Sequence, residues 1–538
     1  MRPIGLCSII YKLTAHLLAT RLYTSCNNSN LIPPNFYAYL KGRSPCHAVR
    51  IFRDRLQMVE PNRILCGLQV DFSGAYDFLS RSYTMDLLEI LGFGQNFINA
   101  IWNSLQGVKI KTNYYDQITP DFEQSSGVTQ GSPLSVQIYS IACIPLTIKL
   151  ELCKNLLSYQ PDFDKKHVKI SKQLLHYSKN PPPDFDSNYI LKKSSHYADD
   201  GLSYLVYENI NTLISLLHIY DTFGYIANQH INRDKTFVFF SSMISQDEIN
   251  QILSLGFLEK NIIFPGGNIK FVGNTCIISP SQFKADYQTF KNKADKICNI
   301  INKWDLKSLT IKGRVIIANQ LCASQLTYFY PNMTASENWF TKIQNAISSF
   351  VNKKKLTIKK LHFLHKSRGG TSTPYLYIKY LISKSNWIKT FIKYENMDRA
   401  LWPDFCTLIF NLKNKYYFPP FSTLVKANDQ DWIKLSNLCF FQGLTFWGNT
   451  FMEFIKLRKF STKQKNTNKT KISLWQDFSI FGSHEIRHLH ALKKTARCGA
   501  SPHQLLRPPD PLSLSSRSPM TADIIDVLKW YKLGHFIK

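Results

Sequence analysis

Acidic residues are scarce in this chain: 37 Asp and Glu stand against 66 Lys and Arg, and the first acid is Asp54. The resulting formal net charge of +29 creates a positive field suited to a polyanion, and nucleic acid is the commonest large one. A basic surface kept soluble by self-repulsion is the plainer reading of the same number. Long hydrophobic runs are missing as well. The best, Ile138 to Ile148, falls short of the roughly 18 residues that a membrane helix needs, so no membrane partner is expected. The 12 cysteines form no CxxC pair and no dense framework. That excludes a disulfide-stapled secreted domain and reads as reduced intracellular thiols. No secretory signal and no internal repeat is visible. The basic N-terminus, with Arg2, Lys12 and Arg21, resembles a mitochondrial presequence; mitochondria are therefore the minor alternative to nucleus and cytoplasm.

What is present is enough for a folded protein. Hydrophobic residues make up 44% of 538 positions, which excludes wholesale disorder and suggests two to four domains. Ile9, Ile10, Leu13, Leu17 and Leu18 recur at helical spacing. Ile64 to Phe72 (ILCGLQVDF) is a short apolar run with a carboxylate near its end, the pattern of a buried strand. Tyr83 to Leu91 predicts a helix stopped by Gly92. Gly127 to Ser135 (GVTQGSPLS) is a glycine-punctuated loop before a core helix over Val136 to Ile148, with a kink expected at Pro145. Pro181 to Pro183 mark a polar insertion. Ile210 to Tyr225 predicts a helix, while Phe237 to Phe240 and Ile269 to Val272 predict strands. Phe290 to Trp304 and Ser308 to Tyr328 predict amphipathic helices. Lys353 to Lys366 is densely basic, Lys463 to Lys471 reads as a solvated linker, and Ser513 to Ser518 is of low complexity.

Two segments carry the chemistry. Asp71-Phe-Ser-Gly-Ala-Tyr-Asp77 lies at a strand end, and Tyr197-Ala-Asp-Asp200 lies between two strand-like runs. Each alone reads most simply as a turn or a cap. Adjacent side chains on a straight strand point to opposite faces, so Asp199 and Asp200 share a neighbourhood only if the chain turns there. Asp200-Gly201 is a hairpin signal, and it puts both aspartates at a tip beside the end of the first strand. Carboxylates packed that closely repel unless a divalent cation joins them. Hard oxygen ligands suit Mg²⁺, which fills its shell from water and phosphates, and a pair of such ions suits an in-line phosphoryl displacement.

With these residues in order, the chain resembles the reverse transcriptases of non-LTR (LINE-type) retrotransposons. Arg2-Pro-Ile-Gly-Leu with Tyr11-Lys12 and Arg21-Leu22, Tyr39 to Ser44, Asp71 to Asp77, Gly127 to Ser135 and Tyr197 to Asp200 (YADD) resemble that family's successive motifs. Gly224-Tyr225, Ile231-Asn232 and Lys235 follow, and then Phe271-Val-Gly273. The likeness runs on through Trp304, Gly313-Arg314, Tyr328 and Gly369-Gly370…Pro374, covering roughly residues 2 to 390.

The resemblance implies an α+β right-hand polymerase with an antiparallel palm sheet. Partial fingers would span 1–60, a palm 61–280 with an insertion at about 155–190, a helical thumb and connection 281–400, and an uncertain basic region 401–538. It implies RNA-directed DNA synthesis on an RNA template and a DNA primer from dNTPs, with two Mg²⁺ ions (Mn²⁺ as the substitute). Asp71, Asp199 and Asp200 would be the metal ligands. Lys235 would assist the leaving pyrophosphate, and Arg2 would clamp the triphosphate. Tyr76 would sit under the incoming sugar, its plain alternative being core packing. Gln130 and Gly131 would line the template–nucleotide pocket, and Phe271 to Gly273 would grip the primer.

Departures stand beside the likeness. Tyr39-Leu40 replaces an expected Gly-Phe, about three residues are inserted near Gly224 to Lys235, and Phe271-Val272 replaces Tyr-Leu. The motifs begin at Arg2, so an N-terminally truncated protein without an endonuclease domain is expected. His484, His488, His490, Cys498 and His503 match no standard zinc spacing. The rival expectations are a catalytically silent nucleic-acid-binding remnant and a group II intron-type reverse transcriptase and maturase.

Overall fold

The computed structural model describes residues 5–158, 193–352, 371–394 and 429–465, apart from positions 30, 34, 41, 58, 60, 61, 112, 115, 116, 442 and 443. Arg2, the Pro181 to Pro183 insertion, Lys353 to Lys366, Gly369-Gly370, the serine-rich stretch and the His484 to His503 group lie outside the described residues.

A twisted sheet forms the centre. Its middle strand, β1 (Ile64–Val70), is the expected apolar run. β2 (Ser194–Tyr197), β3 (Asp200–Ser203), β4 (Leu205–Tyr207), β5 (Phe237–Phe240) and β6 (Ile262–Ile263) complete it in the order β6-β5-β1-β3-β2, with β4 also paired to β1. Every pairing is antiparallel except β5 with β6, which is parallel. Alternation along the strands sends side chains to opposite faces. Cys66, Leu68 and Val70 of β1 join one core, while Leu65 joins another with Leu202, Tyr204 and Phe239.

The first core is roofed by helices: α1 (Ile9–Asn28), α4 (Arg81–Ile90), α6 (Pro133–Ala142), α7 (Ile144–Leu152) and α8 (Ile210–Ala227), with α3 (Ala75–Phe78) and α5 (Gln95–Leu105) between them. The expected apolar spacing does lie on a helix, α1, and of its five members Leu18 alone is buried. Ile9, Ile10, Leu13 and Leu17 are exposed, and Ala15, Leu18, Ala19, Leu22 and Cys26 are buried. The expected helix over Val136 to Ile148 is two helices broken at Cys143, not one kinked at Pro145. Pro145 lies in the first turn of α7, where a missing N–H does no harm. Together they make Pro133–Leu152 longer than the sequence pattern suggests, long and apolar enough to cross a membrane by length and composition; 72% of that window is buried inside the protein.

The second face is covered by α2 (Pro45–Gln57) and by helices far along the chain. β7 (Asn268–Phe271) and β8 (Asn274–Ile277) form a separate hairpin beside them, preceded by α9 (Gln246–Ser254). Then come α10 (Phe283–Asp305), α11 (Ile311–Ile317), a π-helical turn at Ala318–Ala323, α12 (Ser324–Thr327), α13 (Glu337–Asn352) and α14 (Leu376–Tyr394). Most of these helices share a third core, around Phe340, Tyr330 and Tyr380. Finally α16 (Thr445–Lys465) packs against α14 and against α15 (Asp429–Phe441), and the two insert Trp432, Trp447 and Phe451 into the second core. The expected linker from Lys463 is thus helical as far as Lys465.

Candidate active site

The ladder between β1 and β3 pairs Val70 with Gly201. Asp71, one residue further along, therefore faces Asp200 across the two strands. β2 and β3 form a tight hairpin in which Tyr197 pairs with Asp200, leaving Ala198 and Asp199 as the two turn residues. This corrects the expected turn at Asp200-Gly201, which lies inside β3. Ala198 takes the left-handed conformation, φ 55°, that a two-residue hairpin wants at its first position. All three aspartates are half-buried.

The backbone of Asp71 is tied down on both sides. Its N–H donates to Thr236 Oγ1 at 3.2 Å, and its carbonyl accepts from the Asn232 N–H at 2.8 Å. The same loop carries Lys235, which is exposed and whose N–H donates to the Asn232 carbonyl. Lys235 thus lies on the loop pinned to Asp71. Asp199 in the turn and Asp200 at the start of β3 act on different neighbours. Burial pushes the Tyr139 phenol well up, with Asp199 among the smaller causes. Burial likewise pushes the Tyr328 phenol up to about 12, with Asp200 a smaller cause. Among the described residues no three His, Cys, Asp or Glu side chains converge into a cage for a metal ion.

Tyr76, in α3, stacks on Tyr139 with ring centroids 4.6 Å apart. Tyr139 donates through its hydroxyl to Gln229 Oε1 at 3.1 Å, and Gln229 Nε2 donates to the Ala75 carbonyl at 2.9 Å. A closed chain of contacts thus fixes Tyr76 from behind. The loop 127–132 lies against it: the Val128 N–H donates to the Tyr76 carbonyl at 2.7 Å. A Cβ on Gly127 would meet the Tyr76 carbonyl oxygen at 2.3 Å, so no larger residue fits this approach. Gln130 Nε2 reaches the Asp77 carboxylate at 3.4 Å. Gly131 permits a close approach too, but the backbone that approaches is the chain's own: a Cβ there would lie 2.5 Å from the Gly5 carbonyl oxygen.

The strand register thus sets the backbones of Asp71, Asp199 and Asp200 beside one another, and Gln130 reaches Asp77, the residue after Tyr76. Arg2 lies outside the described residues. Sequence reasoning missed Arg81, Tyr139, Gln229 and the role of Tyr328 as a neighbour of Asp200. Arg81 is buried and donates to the carbonyls of Gly127, Gln124 and Ser126 at 2.8, 2.9 and 3.3 Å, which sets the loop's entry. Nothing in the local sequence signals it, because its partners are carbonyls more than forty residues away.

Comparison with known proteins adds the following. Residues 1–275 match the family model described as reverse transcriptase (RNA-dependent DNA polymerase). A Xenopus laevis protein named as the transposon TX1 uncharacterized 149 kDa protein is 24% identical over 354 residues, which are 65% of this chain and 24% of the relative. The chain thus spans about a quarter of that relative's length. Among solved structures, telomerase from Candida tropicalis with a TWJ fragment of telomeric RNA overlaps 82% of this chain and 56% of its own, at 12% identity and a TM-score of 0.33. Telomerase from Candida albicans with the same kind of fragment overlaps 73% and 58%, at 15% identity and a TM-score of 0.28.

Proposed function

The chain belongs to the reverse transcriptase family, and on that premise we propose that it is the RNA-directed DNA polymerase of a non-LTR retrotransposon. The observation that carries the reading is the register of β1 against β3, which sets Asp71 across from Asp200 with Asp199 in the adjoining turn. Their oxygens are hard donors, as a divalent cation requires. A site of this kind needs one or two carboxylates per ion, with phosphates and water completing the shell.

Reverse transcriptases use divalent metal ions; here Asp71, Asp199 and Asp200 would hold them, with Mg²⁺ as the natural ion and Mn²⁺ as a substitute. Bound there, such ions would activate a primer 3′-oxygen and neutralise the leaving pyrophosphate. The chain's own residues do the positioning. The Tyr76 ring, backed by Tyr139, closes the space beside the incoming sugar and leaves no room for a 2′-hydroxyl. Gln130 and Gly131 border the nucleotide, and Arg2 and Lys235 meet its phosphates, Arg2 as a bidentate fork. Phe271 to Gly273 contact the primer. The exposed lysines of α10, among them Lys284, Lys291 and Lys303, follow the duplex backbone. The substrates on this reading are an RNA template, a DNA primer and dNTPs.

The test is extension of an oligo(dT) primer on poly(rA) with dTTP, with Mg²⁺, with Mn²⁺ and with chelator, comparing wild type with Asp199→Asn. Extension by wild type alone, abolished by chelator, is expected. Salt-sensitive duplex binding without extension by either protein would make the chain a binding remnant. Equal extension by both would remove Asp199 from the site.

A further inference from the structure

Tyr39 (φ 54°), Ala198 (φ 55°) and Val272 (φ 44°) are non-glycine residues with left-handed backbones. Such residues cluster where surrounding structure forces a conformation that the chain alone would not keep. Tyr39 lies ring to ring with Tyr197, centroids 5.9 Å apart, and Ala198 begins the hairpin turn. Val272 is the extreme case, because a β-branched side chain with positive φ is a genuine outlier.

Val272 and Gly273 (φ 69°) are the two turn residues between β7 and β8, where Phe271 pairs with Asn274. Positive φ at both positions matches the preferred two-residue hairpin turn, for which Asn-Gly is the usual sequence. Valine lacks the polar side chain that eases this conformation in Asn. Tertiary contacts supply the restraint instead. The Val272 carbonyl accepts the Tyr328 hydroxyl at 2.5 Å and Asn274 Nδ2 at 3.2 Å. The Tyr328 ring also lies against Gly273, whose position for a Cβ is 3.7 Å from a ring carbon. Tyr328 immediately follows α12 and so belongs to the helical region after residue 281. Tyr197 and Asp200 are near enough to act on its hydroxyl electrostatically.

We propose that Tyr328 is a positioning residue: its hydroxyl latches the strained Val272–Gly273 turn and so sets where the primer end lies relative to Asp71 and Asp200. This rests on the reading of Phe271 to Gly273 as the primer contact. At the turn itself the latch joins the helical region to the hairpin through the Tyr328 side chain, while Gln282 bonds the far end of β8 at Ile277. It acts on the primer and not on the incoming nucleotide, because Phe271 and Val272 belong to the core on one face of the sheet while Tyr139 and Tyr76 pack in the core on the other.

The experiment uses the full chain with Tyr328→Phe, Val272→Gly and both together. Hydrogen exchange of residues 271–277 is measured without substrates, and primer–template KM and dNTP KM are measured during extension. Tyr328→Phe keeps the ring and removes one hydrogen bond, so exchange and primer–template KM should each rise about fivefold, with dNTP KM unchanged. Glycine accepts positive φ without strain, so in the Val272→Gly background the effect of Tyr328→Phe should shrink to under about twofold, the coupling expected of a shared contact. Unchanged exchange overturns the latch. Faster exchange with unchanged primer–template KM, or a rise in dNTP KM instead, overturns its role in placing the primer. Equal effects in both backgrounds overturn the link to strain. Failure of wild type to extend any primer shows in the control and overturns the polymerase reading itself.

Discussion

Two groups of charged side chains occupy this protein, and they are built in opposite ways. Asp71, Asp199 and Asp200 are half-buried and all of one sign. Across the sheet, α2, α10, α14 and α16 enclose Arg50, Arg53, Asp54, Asp286, Lys384 and Glu453, all buried and of both signs. Arg53 meets Asp286 at 2.8 Å and donates to the carbonyls of Asn332 and Thr275. Arg50 lies 2.8 Å from Asp54, whose other oxygen accepts Trp447 Nε1 at 3.0 Å. Phe446 is flanked by Arg50 and by the Lys384 ammonium, 3.8 and 3.5 Å from its ring centre. The enclosed group neutralises itself and so can hold helices together. The open group gathers carboxylates of one sign at the end of two strands, the donor type that a divalent cation takes. Buried pairs of this kind are weak evidence of stabilisation, yet removing one partner is severe.

The comparison breaks most visibly at the open site. Asp199→Asn should lower primer extension by at least about a hundredfold, while the urea midpoint stays level or rises because like charges no longer face each other. A fall in stability matching the fall in activity would mean that Asp199 is structural. In the enclosed group the order reverses. Arg53→Met leaves Asp286 buried and unpaired, which should cost about 3–5 kcal/mol in chemical denaturation, with extension per folded molecule retained.

A third prediction uses pH to sharpen the contrast. Burial pushes the Lys384 ammonium down to about 7, against the smaller upward pull of Glu453, and pushes the Glu453 carboxyl up to about 7. A lysine with a depressed value binds fewer protons folded than unfolded, so its contribution to stability grows as pH rises from about 7 toward its ordinary value of 10.5. The carboxyl works the other way: its contribution is present below 4.5 and lost as pH rises through about 7. Between pH 7 and pH 9 the lysine governs the slope. Wild type should therefore gain stability relative to Lys384→Met over that interval, read as the difference in urea midpoints; parallel curves would show that Lys384 is not the titrating group. The smallest effect belongs to the exposed stripe of α1, where Leu13→Gln should change stability by no more than about 0.5 kcal/mol. A large loss in the same denaturation assay would mean that Leu13 is covered.

The open group was legible in the sequence and the enclosed one was not, for a physical reason. A strand ending in Asp71 and a YADD hairpin are local patterns, carried by residues within a few positions of one another. Arg53 and Asp286 are 233 positions apart, and neither stands out in a basic amphipathic helix. Strand β1, helix α4 and the hairpin were readable from apolar runs and turn residues. The turn itself was misplaced by two residues, because Asp-Gly is the stronger local signal and pairing with β1 outweighed it. Helix α1 was readable from its spacing, but not its buried face, because periodicity does not say which neighbours will cover which side.

Composition and local pattern alone determined that the chain is basic, that β1 is a buried strand, and that three aspartates lie at its end and in the adjoining hairpin. Those follow from side-chain chemistry and backbone preference within short windows. Only the tertiary structure decided that Asp71 faces Asp200, that Tyr139 and Gln229 fix Tyr76, and that Tyr328 holds a strained valine turn. It also decided that residues 429–465 complete the core on the far side of the sheet. Each of these depends on contacts between segments tens to hundreds of residues apart, where the free energy lies in packing and in the pairing of buried polar groups.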